Sequence, residues 1–192
     1  MKVICISGKA QHGKDTTAFF LKERLEDQGY DVLVAHYGDL VKYICKTFFG
    51  WNGQKDEYGR GLLQFVGTDV IREQEPDFWV AFLAKMLHFF REEWDYVLIP
   101  DSRFPNEIDY LRSAGLDVTH LRVIREHFQS PLTEQQQRHP SETALDHVTP
   151  DFYIHNNGTL DDLKAVIYDW LSDFQEHYQL SFDDITAQTI KV

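Results

Sequence analysis

The chain has 192 residues and a formal net charge of −12, and 43% of its residues are hydrophobic and 14% aromatic. This length and composition are enough for one globular domain with a sizeable core. A surface this acidic repels a polyanion, so we do not expect a long nucleic acid as a partner. A small nucleotide is still compatible with this charge.

Cysteine usage and hydropathy narrow the class of protein further. Cys5 and Cys45 lack the spacing of a metal site and lie in apolar segments, which indicates buried thiols and no oxidising compartment. No apolar run approaches the length of a membrane span, and the N-terminal run is too short for a signal peptide. We therefore expect a cytoplasmic protein with no membrane partner.

Apolar runs of strand length alternate with helical patterns along the chain. The strand-like runs lie at 2–7, 31–37, 95–100, 117–124 and 151–155. Apolar side chains at helical spacing predict helices at 15–27, 40–48, 62–71, 76–90, 105–111 and 159–174. This alternation predicts an α/β fold, with a central parallel sheet of about five strands and helices on both faces.

Two segments fall outside this alternation. The stretch 126–140 is polar, rich in glutamine and contains two prolines, which is more typical of a mobile, lid-like loop than of a domain linker. The segment after Gln179 is short and acidic, and its pattern leaves open whether it packs as an edge element.

The first strand runs directly into a glycine-rich loop of the form Gly-x4-Gly-Lys, and a helix follows. Glycines let successive N–H groups point into one concavity, and the helix N-terminus and the lysine add positive charge. This context predicts a nucleoside triphosphate site rather than a chance turn. The expected nucleotide contacts are Gly8, Ala10, His12, Gly13, Lys14, Asp15 and Thr16. Asp15 stands where the common pattern has a magnesium-binding Ser or Thr, so we treat it as a candidate metal ligand.

A second candidate site follows the third strand, at 101–107. The strand delivers Asp101 at its carboxyl end, where an open α/β sheet binds ligands. A carboxylate there can hold Mg²⁺ or take up a proton, and Arg103 can bind a phosphate with two hydrogen bonds. The alternative is that Asp101 caps the loop and Arg103 forms a surface ion pair.

Charged residues flank the lid-like loop. Arg125 and Arg138 are candidates for neutralising a transferred phosphoryl group when the loop closes and excludes water. Ser141 and Glu142 follow and are candidate substrate contacts. The alternatives are solvated loop charges and a simple helix cap.

Polar residues among apolar ones after the second strand suggest a pocket for an acceptor. Arg60 or Arg72 could hold a monophosphate, Gln64 could contact a base edge, and Asp39 could contact the same molecule. Ordinary surface polarity of helices is the simpler alternative for each of these residues taken singly.

The turn after the last strand contains Asn157 and Gly158 and opens the last helix. Such a turn can contact an adenine through backbone groups. It can equally be a plain strand-to-helix turn capped by Thr159.

Together these residues resemble the deoxynucleoside monophosphate kinase family, which is common in phages. The matching segments are the loop at 8–17, Leu-Leu-Gln…Gly-Thr at 62–68, Asp-x-Arg-Phe-Pro-Asn-Glu at 101–107, His-x-Ser-Glu at 139–142 and the turn at 156–160. The resemblance implies a P-loop NTPase fold of the nucleoside monophosphate kinase type. It implies one kinase domain over 1–192, with an acceptor-binding helical region at about 38–92 and a lid at about 126–141.

The same resemblance implies the reaction, an ATP- and Mg²⁺-dependent phosphoryl transfer to a deoxynucleoside monophosphate that gives the diphosphate. Two alternatives stay open. One is a kinase for another small phosphorylated acceptor, such as phosphomevalonate or dephospho-coenzyme A. The other is a nucleotide-binding regulator or ATPase without an acceptor. The sequence also leaves open whether the chain forms a homodimer.

Overall fold

The computed structural model describes the backbone of residues 1–189 and the side chains of residues 1–177. Five parallel strands form one sheet in the order β2-β3-β1-β4-β5. The strands are β1 (Lys2–Ser7), β2 (Val32–Val34), β3 (Tyr96–Ile99), β4 (Asp117–Ile124) and β5 (Phe152–His155). This confirms the predicted five-stranded parallel sheet, although β2 is shorter than the apolar run at 31–37.

Helices connect these strands and cover both faces of the sheet. They are α1 (Lys14–Asp27), α2 (Tyr37–Phe49), α3 (Glu57–Gln64), α4 (Ile71–Gln74), α5 (Phe78–Phe89), α6 (Pro105–Ser113), α7 (Glu134–Gln137), α8 (Pro140–Thr143) and α9 (Leu160–Thr189). No helix within residues 1–189 is both long and apolar enough to cross a membrane.

Alternation along β1 divides the core into two layers. Val3 and Cys5 face a cluster built with α2, α5 and α6, whereas Ile4 and Ile6 face a cluster built with α1 and α9. Leu21 of α1 is fully buried in the second cluster. Removing such a side chain typically costs about 2–5 kcal/mol of unfolding free energy, so both layers fix the strands that carry the loops.

The helix predicted at 62–71 is interrupted by a π-helical segment, Phe65–Val70, between α3 and α4. The carbonyl oxygen of Gly67 accepts a hydrogen bond of 2.9 Å from the indole Nε1 of Trp79. A Cβ on Gly67 would lie 3.2 Å from Val41, so the segment packs closely on α2. A wider turn shifts the direction of the side chains that follow it, which local spacing does not predict.

The last helix begins as predicted and continues past Phe174, the last apolar residue of the pattern. The carboxylate of Asp162 accepts a hydrogen bond of 2.8 Å from the backbone N–H of Thr159, and the Thr159 hydroxyl accepts one of 3.2 Å from the Asp162 N–H. This reciprocal cap fixes the start of α9. Its backbone continues to Thr189, and the side-chain packing of the acidic segment lies outside the described residues.

Candidate active site

The candidate site lies where the strand order changes direction. β1 pairs with β3 on one side and β4 on the other, so its loop meets the loops that follow both neighbours. Ligands bind at such a point in open α/β sheets because the two neighbouring crossovers diverge and leave a crevice.

Two glycines shape the loop after β1. Gly8 has φ 149°, and a Cβ there would lie 2.5 Å from the carbonyl oxygen of Val123. Gly13 has φ 102°, and a Cβ there would lie 2.6 Å from the Nδ2 atom of Asn156. Both conformations disfavour residues with a side chain, and both positions lack space for one. The loop is therefore held against β4 and against the turn after β5.

Lys14 lies inside this loop at the start of α1. Its Nζ atom donates hydrogen bonds of 2.9 Å to the carbonyl oxygens of Gly8 and Lys9. Burial and, to a smaller extent, the neighbouring charge of Arg103 lower the pKa of Lys14 to about 8. A bound phosphate would favour the charged form again, so the amine is placed to respond to an anion.

A cavity of about 220 Å³ lies between this loop and the segment that begins at α8. Its basic lining residues are Lys9, Arg103 and Arg122, and Glu142 and Asp146 lie among them. The Nζ atom of Lys9 lies 2.5 Å from the Asp146 carboxylate. The sequence reasoning assigned no role to Lys9, although its position in the glycine loop was a signal.

Arg122 lines this cavity, whereas the predicted catalytic residues Arg125 and Arg138 do not. Arg122 lies on β4 and donates to the carbonyl oxygen of Leu145 and, at 3.5 Å, to the Ser7 hydroxyl. Its strand position at the sheet edge was the available signal.

The two predicted lid arginines have other partners in this structure. The Arg125 guanidinium lies 4.7 Å from the ring centre of Phe128, within its own loop. The Arg138 side chain is 81% exposed and its Nη2 atom lies 3.4 Å from Glu134. Both residues lie past the end of β4, and the backbone N–H of Arg125 donates a hydrogen bond of 3.2 Å to the Nδ1 atom of His12, which lines the cavity. A role for them on closure stays a prediction.

Behind Arg122, a buried histidine contacts the end of β1. The Nε2 atom of His120 lies 2.7 Å from the Ser7 hydroxyl. Burial lowers the pKa of His120 to about 4, and the charge of Arg122 acts in the same direction. His120 is therefore neutral at pH 7 and serves as a fixed hydrogen-bonding partner behind the loop.

Glu142 spans the cavity. Its Oε2 atom accepts a hydrogen bond of 3.0 Å from the Ala10 N–H, and its Oε1 atom accepts one of 2.9 Å from Arg103. Its carbonyl oxygen accepts a bond of 2.6 Å from the Lys9 ammonium. The Ser141 hydroxyl instead lies 2.9 Å from the His139 ring. The predicted substrate contact Glu142 thus lies on the phosphate loop and not beside the predicted acceptor residues.

Asp101 connects β3 to the start of α2. Its Oδ1 and Oδ2 atoms accept hydrogen bonds of 3.1 and 2.9 Å from the backbone N–H groups of Tyr37 and Gly38. Burial raises the pKa of Asp101 although these two bonds oppose it. The capping alternative from the sequence is therefore part of its role. These bonds hold the start of α2 against the turn after β3.

The other predicted metal ligand, Asp15, lies with Thr16 in the first turn of α1. Its side chain is 87% exposed, and its Oδ1 atom lies 3.8 Å from the Nε2 atom of His36. Both carboxylates therefore lie near the loop, one anchored and one exposed to solvent.

The predicted acceptor residues differ in their surroundings. Arg60 and Gln64 are exposed on α3. The Nε atom of Arg60 donates a hydrogen bond of 2.9 Å to the carbonyl oxygen of Lys55. Asp39 is exposed and its Oδ1 atom lies 2.8 Å from the Lys42 ammonium. Arg72 is only 12% exposed and forms an ion pair of 2.6 Å with Glu107. None of these side chains lines the cavity at the phosphate loop.

The turn after β5 is joined to both the loop and the lid. The Oδ1 atom of Asn157 accepts a bond of 2.8 Å from the Glu126 N–H. The Nδ2 atom of Asn156 donates a hydrogen bond of 2.9 Å to the carbonyl oxygen of His12. Asn156 had no predicted role. Its position between a strand and a Gly-Thr helix start was the only signal. Gly158 makes its closest approach to Asp162, the cap residue of α9.

The fold resembles that of known kinases. A sugar kinase from Janibacter sp. HTCC2649 superimposes with a TM-score of 0.51 at 17% identity, covering 90% of this chain and 95% of that chain. At this identity the likeness concerns the fold alone, and it agrees with the P-loop fold predicted from the sequence.

Two proteins with similar sequences are both named deoxynucleotide monophosphate kinase. The deoxynucleotide monophosphate kinase of Enterobacteria phage T4 is 31% identical over 119 residues, which cover 60% of this chain and 46% of that protein. The deoxynucleotide monophosphate kinase of Escherichia phage RB69 is 30% identical over 161 residues, which cover 80% of this chain and 63% of that protein. The chain thus spans about half to two thirds of the length of these relatives.

A family model gives the assignment. The model of the deoxynucleotide monophosphate kinase family matches residues 40–167, which is two thirds of the chain. This range includes the Asp101–Glu107 segment and the Glu142 region, both of which line or support the cavity. The resemblance found in the sequence is confirmed, and the chain belongs to the deoxynucleotide monophosphate kinase family.

Proposed function

We propose that this chain transfers the γ-phosphoryl group of ATP to a deoxynucleoside monophosphate, giving ADP and the deoxynucleoside diphosphate, with Mg²⁺ as cofactor. The observation that carries the proposal is the cavity lined by the glycine loop, Arg103 and Arg122, with Lys14 hydrogen-bonded to two carbonyl groups of that loop. Membership of the deoxynucleotide monophosphate kinase family supports the choice of acceptor.

The chemistry requires positioning and charge stabilisation more than covalent participation by the protein. An oxygen of the acceptor phosphate forms a bond to the γ-phosphorus, and the bond to the bridging oxygen breaks, so that ADP leaves with the electron pair. A phosphate monoester loses its second proton at a pKa of about 6, so the acceptor is mostly dianionic at pH 7 and needs no general base.

The residues around the cavity suit these demands. Lys14 would exchange the carbonyl oxygens of Gly8 and Lys9 for phosphate oxygens, because an anion is a stronger partner for its ammonium group. Arg103 and Arg122 would neutralise the charge on the transferred group. Closure of the lid at about 126–141, with Arg125 and Arg138, would exclude water and so limit hydrolysis of ATP.

Carboxylate oxygens near the loop fit a magnesium ion. Mg²⁺ prefers oxygen ligands and usually combines one or two carboxylates with substrate phosphates and waters. Asp15 is exposed at the start of α1 and suits direct or water-mediated contact. Asp101 has both oxygens engaged with backbone N–H groups, which suits an orienting contact through water. When bound, the ion would neutralise phosphate charge as the γ-phosphoryl group departs.

The acceptor would bind along the helical region at about 38–92. Arg60 and Gln64 are exposed there and suit a phosphate and a base edge. The turn at Asn157 and Gly158 would contact the adenine of ATP on the opposite side. A cytoplasmic location and small-molecule nucleotides as partners complete the proposal.

A coupled assay of ADP release tests this function. The four common DNA monophosphates are compared with their ribose counterparts, with phosphomevalonate, with dephospho-coenzyme A and with no acceptor. We expect turnover to depend on a deoxynucleotide and on Mg²⁺.

Activity confined to a non-nucleotide acceptor would overturn the acceptor assignment while leaving phosphoryl transfer in place. Equal ADP release without any acceptor would instead make the chain an ATPase. Both results would be read against the Lys14→Ala variant described below, which controls for contaminating kinases.

A further inference from the structure

One glutamate has no direct role in the proposed phosphoryl transfer. It is the last residue of the segment Asp-Ser-Arg-Phe-Pro-Asn-Glu. Glu107 lies in the first turn of α6, and its side chain is 2% exposed. Burial raises the pKa of its carboxyl group, against the opposing effects of Arg72 and two backbone N–H groups. A buried carboxylate is costly unless it is paired and hydrogen-bonded, so a specific structural demand has to account for it.

The hydrogen bonds of Glu107 identify that demand. Its Oε2 atom accepts bonds of 2.6 Å from the N–H of Arg103 and 3.0 Å from the N–H of Phe104. A helix cap needs only the second of these, because Phe104 is the residue that precedes α6. The first bond fixes the backbone of the residue whose side chain enters the phosphate cavity.

Arg72, in the predicted acceptor-binding helical region, is the side-chain partner of Glu107. Its Nη2 atom lies 2.6 Å from the Oε1 atom of Glu107, and its guanidinium lies 4.0 Å from the ring centre of Phe104. It lies in α4, directly after the π-helical segment Phe65–Val70, which sets the direction of this side chain. The guanidinium therefore holds both the carboxylate and the adjacent ring.

The backbone that Glu107 holds belongs to Arg103, which lines the cavity. The Nη1 atom of Arg103 lies 2.9 Å from Glu142, and its charge is close enough to Lys14 to lower the pKa of that amine. A rigid backbone at Arg103 is useful because a guanidinium stabilises a transferring phosphoryl group only if it is already in place.

We propose that Glu107 is a positioning residue that, with Arg72 as its partner, fixes the Arg103 backbone and thereby aims the Arg103 guanidinium at the transferred phosphoryl group. Arg72 thus acts through Glu107 and not as the acceptor-phosphate ligand that its sequence position suggested. The catalytic part of this inference rests on the proposed kinase function, whereas the structural part does not.

The structural part is tested by amide hydrogen exchange, resolved by NMR, on the ligand-free protein. In Glu107→Ala we expect the amides of Arg103 and Phe104 to exchange at least about tenfold faster, since both lose their acceptor. Glu107→Gln should restore part of the protection, because its amide oxygen still accepts. Arg103→Ala should leave both amides protected. Unchanged exchange at both amides in the two Glu107 variants would overturn the proposal.

Steady-state kinetics test the catalytic part. Misplacing a catalytic group by about 1 Å can cost about 10²-fold in rate, so we expect Glu107→Gln to lower kcat by about tenfold or more and to change the ATP KM by less than about threefold. In an Arg103→Ala background the same substitution should have no further effect on kcat. Independent, multiplying losses would overturn the proposal. Glu92→Gln is the matched control, because Glu92 is 84% exposed and remote from the cavity.

Arg72→Lys separates positioning from acceptor binding. Lysine keeps the charge but loses the planar fork and the stacking on Phe104, so kcat should fall with the acceptor KM nearly constant. A large rise in the acceptor KM at unchanged kcat would make Arg72 an acceptor ligand and overturn its positioning role. If the wild-type chain phosphorylates no deoxynucleotide, the proposed function fails, and the exchange experiment still decides the role of Glu107.

Discussion

The Oε2 atom of Glu142 lies 3.0 Å from the backbone nitrogen of Ala10, within the glycine loop that has to receive the phosphates of a nucleotide. The second oxygen of the same carboxylate holds Arg103 at 2.9 Å. A carboxylate thus uses one loop N–H group and one guanidinium that a phosphate would also use. A phosphate bound at this loop would therefore compete with the Glu142 carboxylate for these donors.

We therefore expect Glu142→Gln to bind ADP several-fold more tightly than the wild type. The neutral amide competes less well for Arg103 and removes a negative charge from the cavity. Isothermal titration calorimetry with ADP measures the effect. Glu134→Gln is the control, since Glu134 is 87% exposed in the lid. Weaker binding in Glu142→Gln would contradict the competition and indicate that the carboxylate supports the bound nucleotide.

Lys14→Ala should remove most phosphoryl transfer while the chain stays folded. The loop holds the Lys14 ammonium group by hydrogen bonds to the carbonyl oxygens of Gly8 and Lys9. Losing such a preorganised charge typically lowers the rate on the order of 10²-fold or more. Lys22→Ala, on the same helix but in a surface pair with Glu26, is the control. Wild-type turnover by a folded Lys14→Ala variant would refute the kinase assignment.

Asp101→Asn should lower kcat by about tenfold or more at every magnesium concentration, since it removes the carboxylate that we propose orients the magnesium ion. It should also lower the free energy of unfolding by about 1–3 kcal/mol, because the amide nitrogen that replaces one carboxylate oxygen cannot accept a hydrogen bond, and one of the bonds from the N–H groups of Tyr37 and Gly38 is lost. Asp169→Asn on the surface of α9 is the control. Activity within a few-fold of the wild type would move the metal role to Asp15 or Asp39.

The lid at about 126–141 should become resistant to protease when both substrate sites are filled. Most of its residues are exposed, including Arg138 at 81%, and closure would order them. Limited trypsin digestion with and without a bisubstrate analogue measures cleavage after Arg138. Cleavage after Arg91, which is exposed outside the lid, serves as the internal control. Equal rates at Arg138 in both conditions would argue against a lid.

His120 should make the fold sensitive to mild acid. Its pKa lies at about 4, below the ordinary 6.5, because burial disfavours the charged ring. The unfolded chain therefore takes up the proton first, and the stability contributed is complete above pH 6.5 and lost as the pH falls towards 4. By pH 5 this loss amounts to about 2 kcal/mol of unfolding free energy.

Urea unfolding between pH 7 and pH 5 measures this slope. His120→Gln should be less stable than the wild type at pH 7 and should show a flatter dependence on pH. His88→Gln, on the exposed side of α5, should keep the wild-type slope. A wild-type slope in His120→Gln would assign the acid sensitivity to other groups.

The order of strands and helices and the position of the glycine loop follow from local patterns in the sequence. Strand and helix patterns are local, so the five strands and the glycine loop at 8–13 could be read from apolar spacing and from glycine positions. The same holds for the cap at Thr159, which depends on a residue close to it in the chain. The carboxyl ends of parallel strands meet at one edge, which also predicted that the Asp101 segment lies near the loop.

Which side chains meet at this edge depends on how distant segments pack against each other. The bond between Glu142 and Ala10 joins residues 132 positions apart, and the pair of Glu107 and Arg72 spans 35 positions. Arg125 is among the predicted catalytic residues and Arg122 is not, but Arg122 is the one that lines the cavity. Such partnerships depend on how separate elements pack, and local periodicity carries no information about a partner that lies on another strand or beyond a π-helical turn.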